Sequence, residues 1–187
     1  MNFRTVFWGR FRMALMMMAG VGVLWSMGSK FLTPKKGRLP AGMVVPKIPL
    51  TYIQGGEGNL DITTFRGKGV LLNFWATWCG PCKAELPALQ ALHIRYAGEH
   101  FAIVGVGDES GAKVRAFVGR PNIDIGYPLV KDTRGALGRK LKVKSIPFTV
   151  FIGPDGKVVG DLTGGLTESE GAKRIELLIE QAKTYKP

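Results

Sequence analysis

The chain has 187 residues, 45% hydrophobic and 21% charged, with a formal net charge of +12. That length holds one domain plus an appendage, and that composition excludes a disordered chain. The charge is uneven, because residues 1–44 carry seven of the 26 Lys and Arg and none of the 14 acids, which weighs against a nucleic-acid surface on the main domain.

In chain order, Arg4, Arg10 and Arg12 precede an uncharged, apolar stretch from Met13 to Ser29. A basic segment followed by an apolar core is the pattern of a secretory signal or a signal anchor. Phe31 and Leu32 extend the run past Lys30, whose side chain can reach the interface, so residues 1–32 are expected to stay as a membrane anchor. Cleavage after Ser26-Met27-Gly28, a poor small-residue site, is the alternative. Basic residues on the two sides nearly balance; the expected topology is N-terminus inside with the globular part exported, periplasmic or otherwise extracytoplasmic. Residues 33–49, rich in Pro and Gly, read as a linker, and residues 50–187 as the folded domain.

Within that domain Leu50 to Ile53 reads as a short strand and Asp61 to Phe65 as a turn or short helix. Val70 to Trp75 is an apolar run of the kind a buried strand makes. Leu86, Leu89, Leu92 and Ile94 mark the apolar stripe of a helix running to about Tyr96. Phe101 to Val106 is a second buried strand, Ala112 to Val118 a helix, Tyr127 to Val130 an extended piece, and Thr133 to Leu141 a helix. Phe148–Ile152 and Lys157–Leu162 form a hairpin about Pro154-Asp155-Gly156, and Glu168 to Tyr185 a closing amphipathic helix. Strand–helix alternation of this kind gives an α/β fold with a mixed central sheet flanked by helices.

The only two cysteines, Cys79 and Cys82, stand between the first buried strand and its helix. A Cys-x-x-Cys pair there is a setting for thiol–disulfide exchange, because free N–H groups and the helix dipole favour a thiolate. Cys79, nearer solvent, is assigned the attack, and Cys82, one turn on, the resolution. Gly80 permits the turn, and Pro81 suits the first helical turn, where its missing N–H costs nothing. The other readings are two inert thiols or half a zinc site. His93 and His100 are wrongly spaced to complete the latter, and no His follows Cys82 to complete a haem-attachment motif. No cysteine outside the pair is available as a peroxidatic thiol.

The stretch Leu72-Asn73-Phe74-Trp75-Ala76-Thr77-Trp78-Cys79-Gly80-Pro81-Cys82-Lys83-Ala84-Glu85-Leu86-Pro87 resembles the thioredoxin superfamily, and more closely its membrane-anchored TlpA/ResA-like branch. Ser145-Ile146-Pro147-Phe148-Thr149-Val150-Phe151-Ile152 supports it. The resemblance covers about residues 45–185. It implies a thioredoxin fold with an inserted α/β element around Asp108 to Val130, and a cis Pro147 packed against the Cys pair. Ile146 would then offer its backbone to an extended substrate. Glu85 lies three residues after Cys82 on one helix, so it can exchange a proton with the resolving thiol. In the wider superfamily an Asp commonly stands where this chain has Asn73, which cannot act as a base. An acid in an early turn that merely complements the helix dipole is the plainer reading of Glu85.

Trp75 and Trp78 are candidates for the approach to Cys79 or for packing, and Pro87 should kink its helix. The cluster Lys131, Arg134, Arg139, Lys140, Lys142, Lys144 is either a solvated face or a docking surface for an acidic partner. The resemblance implies a reductase of client protein disulfides, re-reduced by a membrane electron donor, with no cofactor beyond the Cys79–Cys82 disulfide and no resident metal. Cytochrome c maturation or oxidase copper-site assembly would supply such clients. An oxidant or isomerase of the same fold and a Cu(I)-binding metallochaperone remain the alternatives.

Overall fold

The computed structural model describes residues 39–186, so the expected anchor and the first part of the expected linker lie outside the described residues. Among the described residues no helix is long and apolar enough to cross a membrane.

Seven strands form one mixed sheet: β1 (Leu50–Gln54), β2 (Asn59–Leu60), β3 (Gly69–Phe74), β4 (Phe101–Gly107), β5 (Leu129–Lys131), β6 (Phe148–Ile152) and β7 (Val158–Thr163). Their spatial order is β2-β1-β5-β4-β3-β6-β7. β3 pairs in parallel with β4, and β4 with β5, while β6 runs antiparallel to β3 and β7 to β6. The helices are α1 (Gly80–Tyr96), α2 (Gly111–Val118), α3 (Ala136–Lys140) and α4 (Glu168–Thr184). Every residue of β3 is buried, as a central strand covered on both faces requires. This is a thioredoxin fold; α2 and β5 are the inserted α/β element, with β5 lodged between β1 and β4.

Alternation along β3 divides the core. Leu71 faces a cluster built with Leu86, Leu89 and Leu92 of α1 and Ile175 and Leu178 of α4. Val70, Leu72 and Phe74 face the opposite cluster, which includes Leu137 and Leu141 at α3. Asn73 therefore shares the α1 side of the sheet with Leu71.

Three expectations need correcting. Ile94 is 72% exposed; at 100° per residue it falls about 160° round α1 from Leu92, off the stripe. The helix expected over Thr133 to Leu141 is split into a 3-10 turn (Thr133–Gly135) and α3, with Arg134 in the left-handed region at φ 59°. The expected linker is also not free of the fold. Leu39 and Val45 are buried, Val44 bridges Lys157, and the Leu39 N–H donates to Asp161 Oδ2. Prolines forbid helix there, but extended backbone can still pair with the edge strand β7.

Candidate active site

β3 ends at Phe74, and the chain crosses a short loop before Cys79 caps α1. Cys79 and Cys82 are joined in a disulfide, and the Cys82 N–H donates to Cys79 Sγ at 3.2 Å. Opened, that sulfur sits on a free helix N-terminus, which favours its thiolate. Cys79 keeps 5% exposure and Cys82 none.

Thr77, in the loop before the cysteines, donates its N–H to Glu109 Oε2 at 2.6 Å and its hydroxyl to Glu109 Oε1 at 2.9 Å. Lys113 pairs with the same carboxylate. Burial alone would raise the Glu109 carboxyl, but these bonds and the Lys113 charge outweigh it and hold it below the usual range. Glu109 is a site residue that sequence reading missed, since nothing in its surroundings marks it as Thr77's partner.

Glu85 is 3% exposed on α1, one turn past Cys82. Its Oε1 accepts from Asn73 Nδ2 at 2.9 Å, and its Oε2 from the Leu166 N–H at 2.7 Å. Burial raises the carboxyl above its ordinary value and the two hydrogen bonds hold part of that shift back. Asn73 stands opposite Thr149 in the β3–β6 ladder and donates to its Oγ1 at 3.2 Å. Tyr127, fully buried, feels the Glu85 charge, and burial with that charge drives its phenol far up.

The peptide bond between Ile146 and Pro147 is cis. Pro147 is buried and its carbonyl accepts from the Gly164 N–H; Ile146 packs against the cluster that holds Cys79 and Cys82. Trp78 is 67% exposed, whereas Trp75 is buried against Phe117 at 5.7 Å between ring centres. Gly80 and Pro81 are exposed at the start of α1, and a Cβ at Gly80 would meet nothing within 4 Å beyond its chain neighbours and its own helix backbone. Trp78 and Ile146 both line a groove of about 350 Å³, with Phe74, Val106 and Val143 also lining it and Arg134, Arg139, Asp108 and Asp132 contributing charge. The Asp132 carboxylate is committed to the N–H groups of Leu137 and Gly138 at the start of α3. Pro87 sits on the exposed side of α1, where it removes the bond to the Lys83 carbonyl.

A thioredoxin fold with a Cys-x-x-Cys disulfide capping the helix after its central strand, and a cis-proline at the head of β6, defines a thiol–disulfide oxidoreductase. The chain belongs to the AhpC/TSA family, whose model matches residues 41–160. It is 40% identical to the thiol-disulfide oxidoreductase ResA of Bacillus subtilis over 136 residues, 72% of this chain and 73% of that one. A solved candidate thiol:disulfide interchange protein DsbE of Chlorobium tepidum superposes with a TM-score of 0.66 at 25% identity, covering 75% of this chain and 99% of that one. The exposed lipoprotein thioredoxin Etrx1 of Streptococcus pneumoniae superposes with a TM-score of 0.62 at 25% identity, covering 71% and 100%. The enzyme class is therefore thiol–disulfide oxidoreductase, acting on protein substrates through a vicinal Cys pair.

Proposed function

We propose that this oxidoreductase works as a reductant of client protein disulfides outside the cytoplasm, tethered by residues 1–32. The observation that carries the mechanism is the buried Glu85 one turn beyond Cys82, on a helix whose first turn already supplies an N–H to the Cys79 sulfur; the direction follows from reduction potential. Cys79 thiolate attacks a client disulfide, forming a mixed disulfide and releasing one client thiolate. Cys82 thiol gives its proton to Glu85 and attacks Cys79 Sγ, closing the Cys79–Cys82 disulfide and expelling the second client thiolate. Two electrons pass to the client; a membrane electron donor returns two to the protein, and Glu85 hands its proton back. Trp78, Gly80, Pro81 and the Ile146–Pro147 edge receive the client segment by β-type backbone pairing and apolar contact. Exposed lipoprotein status in the pneumococcal relative supports the location. Clients in cytochrome c maturation or oxidase copper-site assembly are the narrower reading.

The groove beside Trp78 supports the acidic-partner reading of the basic cluster. Arg134 and Arg139 line it, and the ion pairs among the described residues engage none of Lys131, Arg134, Arg139, Lys140, Lys142 or Lys144. A client carrying carboxylates near its cystine meets cations that no ion pair among the described residues engages, in a groove they share with Asp108 and Asp132.

The test is trapping. Cys82→Ala should freeze Cys79 in mixed disulfides with clients in membrane fractions, and Cys79→Ser should trap none. Oxidation of reduced clients by the wild-type Cys79–Cys82 disulfide, with the enzyme dithiol accumulating as client thiols disappear, would make the protein an oxidant.

A further inference from the structure

Glu85 must hold a proton for part of the catalytic cycle and hold none for the rest, and its two oxygens are not equally able to do so. Oε2 faces the backbone N–H of Leu166, a donor that cannot be turned into an acceptor. A proton on the Oε2 lone pair that accepts this bond would put two donors nose to nose. Oε1 faces the side-chain amide of Asn73, which carries a donor and an acceptor on the two sides of one rotatable bond. With Glu85 ionised, Asn73 uses both Nδ2 hydrogens, one toward Oε1 and one toward Thr149 Oγ1, while its own Oδ1 is buried with no hydrogen-bond partner. A buried carbonyl oxygen without a partner costs free energy, and turning the amide over would bring it to one.

We propose that the Asn73 amide is the proton-state partner of Glu85, donating Nδ2–H to the carboxylate and turning over to offer Oδ1 to the carboxylic acid. Half a turn about χ2 exchanges the two positions. Oδ1 then lies where Nδ2 was, in reach of a proton on Glu85 Oε1 and of the Thr149 hydroxyl, which can donate as readily as accept. Nδ2, with its two hydrogens, then takes over the unpartnered place, so each state leaves one polar atom of the amide unpaired. Asn73 is thus a positioning residue: it directs the Glu85 proton to Oε1 without itself exchanging one. An Asp at this position would add a second charge, and an apolar residue would leave both forms of Glu85 unserved.

The surroundings leave this pair to itself. From α1, Glu85 is accompanied by the Cys79–Cys82 pair; from β3 and β6 it meets the neutral Asn73 and Thr149; from the loop before α4 it meets the Leu166 N–H. Tyr127 is the other titratable group coupled to it, and no Lys or Arg among the described residues pairs with it.

The inference rests on the proton role proposed for Glu85 but is tested separately from it. In the reduced, isotope-labelled full chain in detergent micelles, the Asn73 side-chain NH₂ resonances should titrate with the midpoint of the Glu85 side-chain carbon. In Glu85→Gln they should be flat with pH. Asn73→Ala should move the Glu85 midpoint up by about one pH unit, because the charged form loses a charge-assisted donor. Flat Asn73 resonances across a clear Glu85 titration overturn the inference and leave the proton role standing. Co-titration with an exchange rate that ignores the Glu85 midpoint supports the inference and overturns the proton role.

Discussion

Glu109, beyond the end of β4, takes both hydrogen bonds that Thr77 has to give, and so pins the loop that presents Trp78 and Cys79. The contact spans 32 positions of sequence and joins the ends of two adjacent parallel strands. Its consequence is that the loop before the cysteines is fixed by a carboxylate outside the motif.

Glu109→Ala removes both bonds and leaves the Thr77 N–H unserved. The expected cost is about 2 kcal/mol, or a fall of about 4–8 °C in melting temperature for a domain of this size. Because its folded-state carboxyl lies below the usual range, Glu109 contributes stability above its unfolded value, lost as pH falls through the folded one. Wild type should therefore approach the variant on acidification, which thermal melts from neutral to acid pH will show.

Glu85 behaves with the opposite sign. Its folded-state carboxyl is raised above 4.5, so the folded protein binds the proton more tightly. Stability is then greatest below the unfolded value and falls as pH rises from there through the folded value. In Glu85→Gln the oxidised protein should lose this slope. Its exchange rate at neutral pH should drop by about 10²-fold and its pH profile flatten. Stopped-flow exchange with a model disulfide, run across pH, checks both.

Reversing Arg134 and Arg139 to Glu should slow reaction with an acidic client about tenfold at low salt and remove its ionic-strength dependence. At 1 M salt, where screening acts over about 3 Å, wild type and variant should converge. Rates with an uncharged small disulfide should not separate them.

Gly105→Ala tests the packing beneath Trp75. A Cβ there would lie 2.6 Å from Leu129 Cδ2, 3.2 Å from Trp75 Nε1 and 3.3 Å from Tyr127 Cε2. The surrounding side chains are buried, so they yield little, and a loss of about 1–3 kcal/mol in denaturant unfolding is expected.

The redox pair and the strand and helix around it were legible because their signals are local. Cys79 to Cys82 spans one turn, and Val70 to Trp75 is an uninterrupted apolar run. Ile94 misled because one apolar residue near a stripe passes for part of it until the 100° step is counted. The two-residue β2 carries no pattern of its own, and the segment from Leu39 to Val45 reads as linker because prolines report what backbone cannot do rather than what it pairs with.

What the sequence determined by itself is the chemistry at the helix start. A dithiol, a proline in the first helical turn and an acid one turn on are fixed relative to one another by helix geometry alone. Only the tertiary structure decided what each of them experiences. Leu166, 81 positions from Glu85, supplies the backbone donor to one carboxylate oxygen, and Thr149, 76 positions from Asn73, accepts the amide's second N–H bond. Such partners meet only when the sheet closes over α1 and α4. Burial in that closed interior, not the identity of the acid, makes Glu85 hold its proton more tightly than a carboxyl in water.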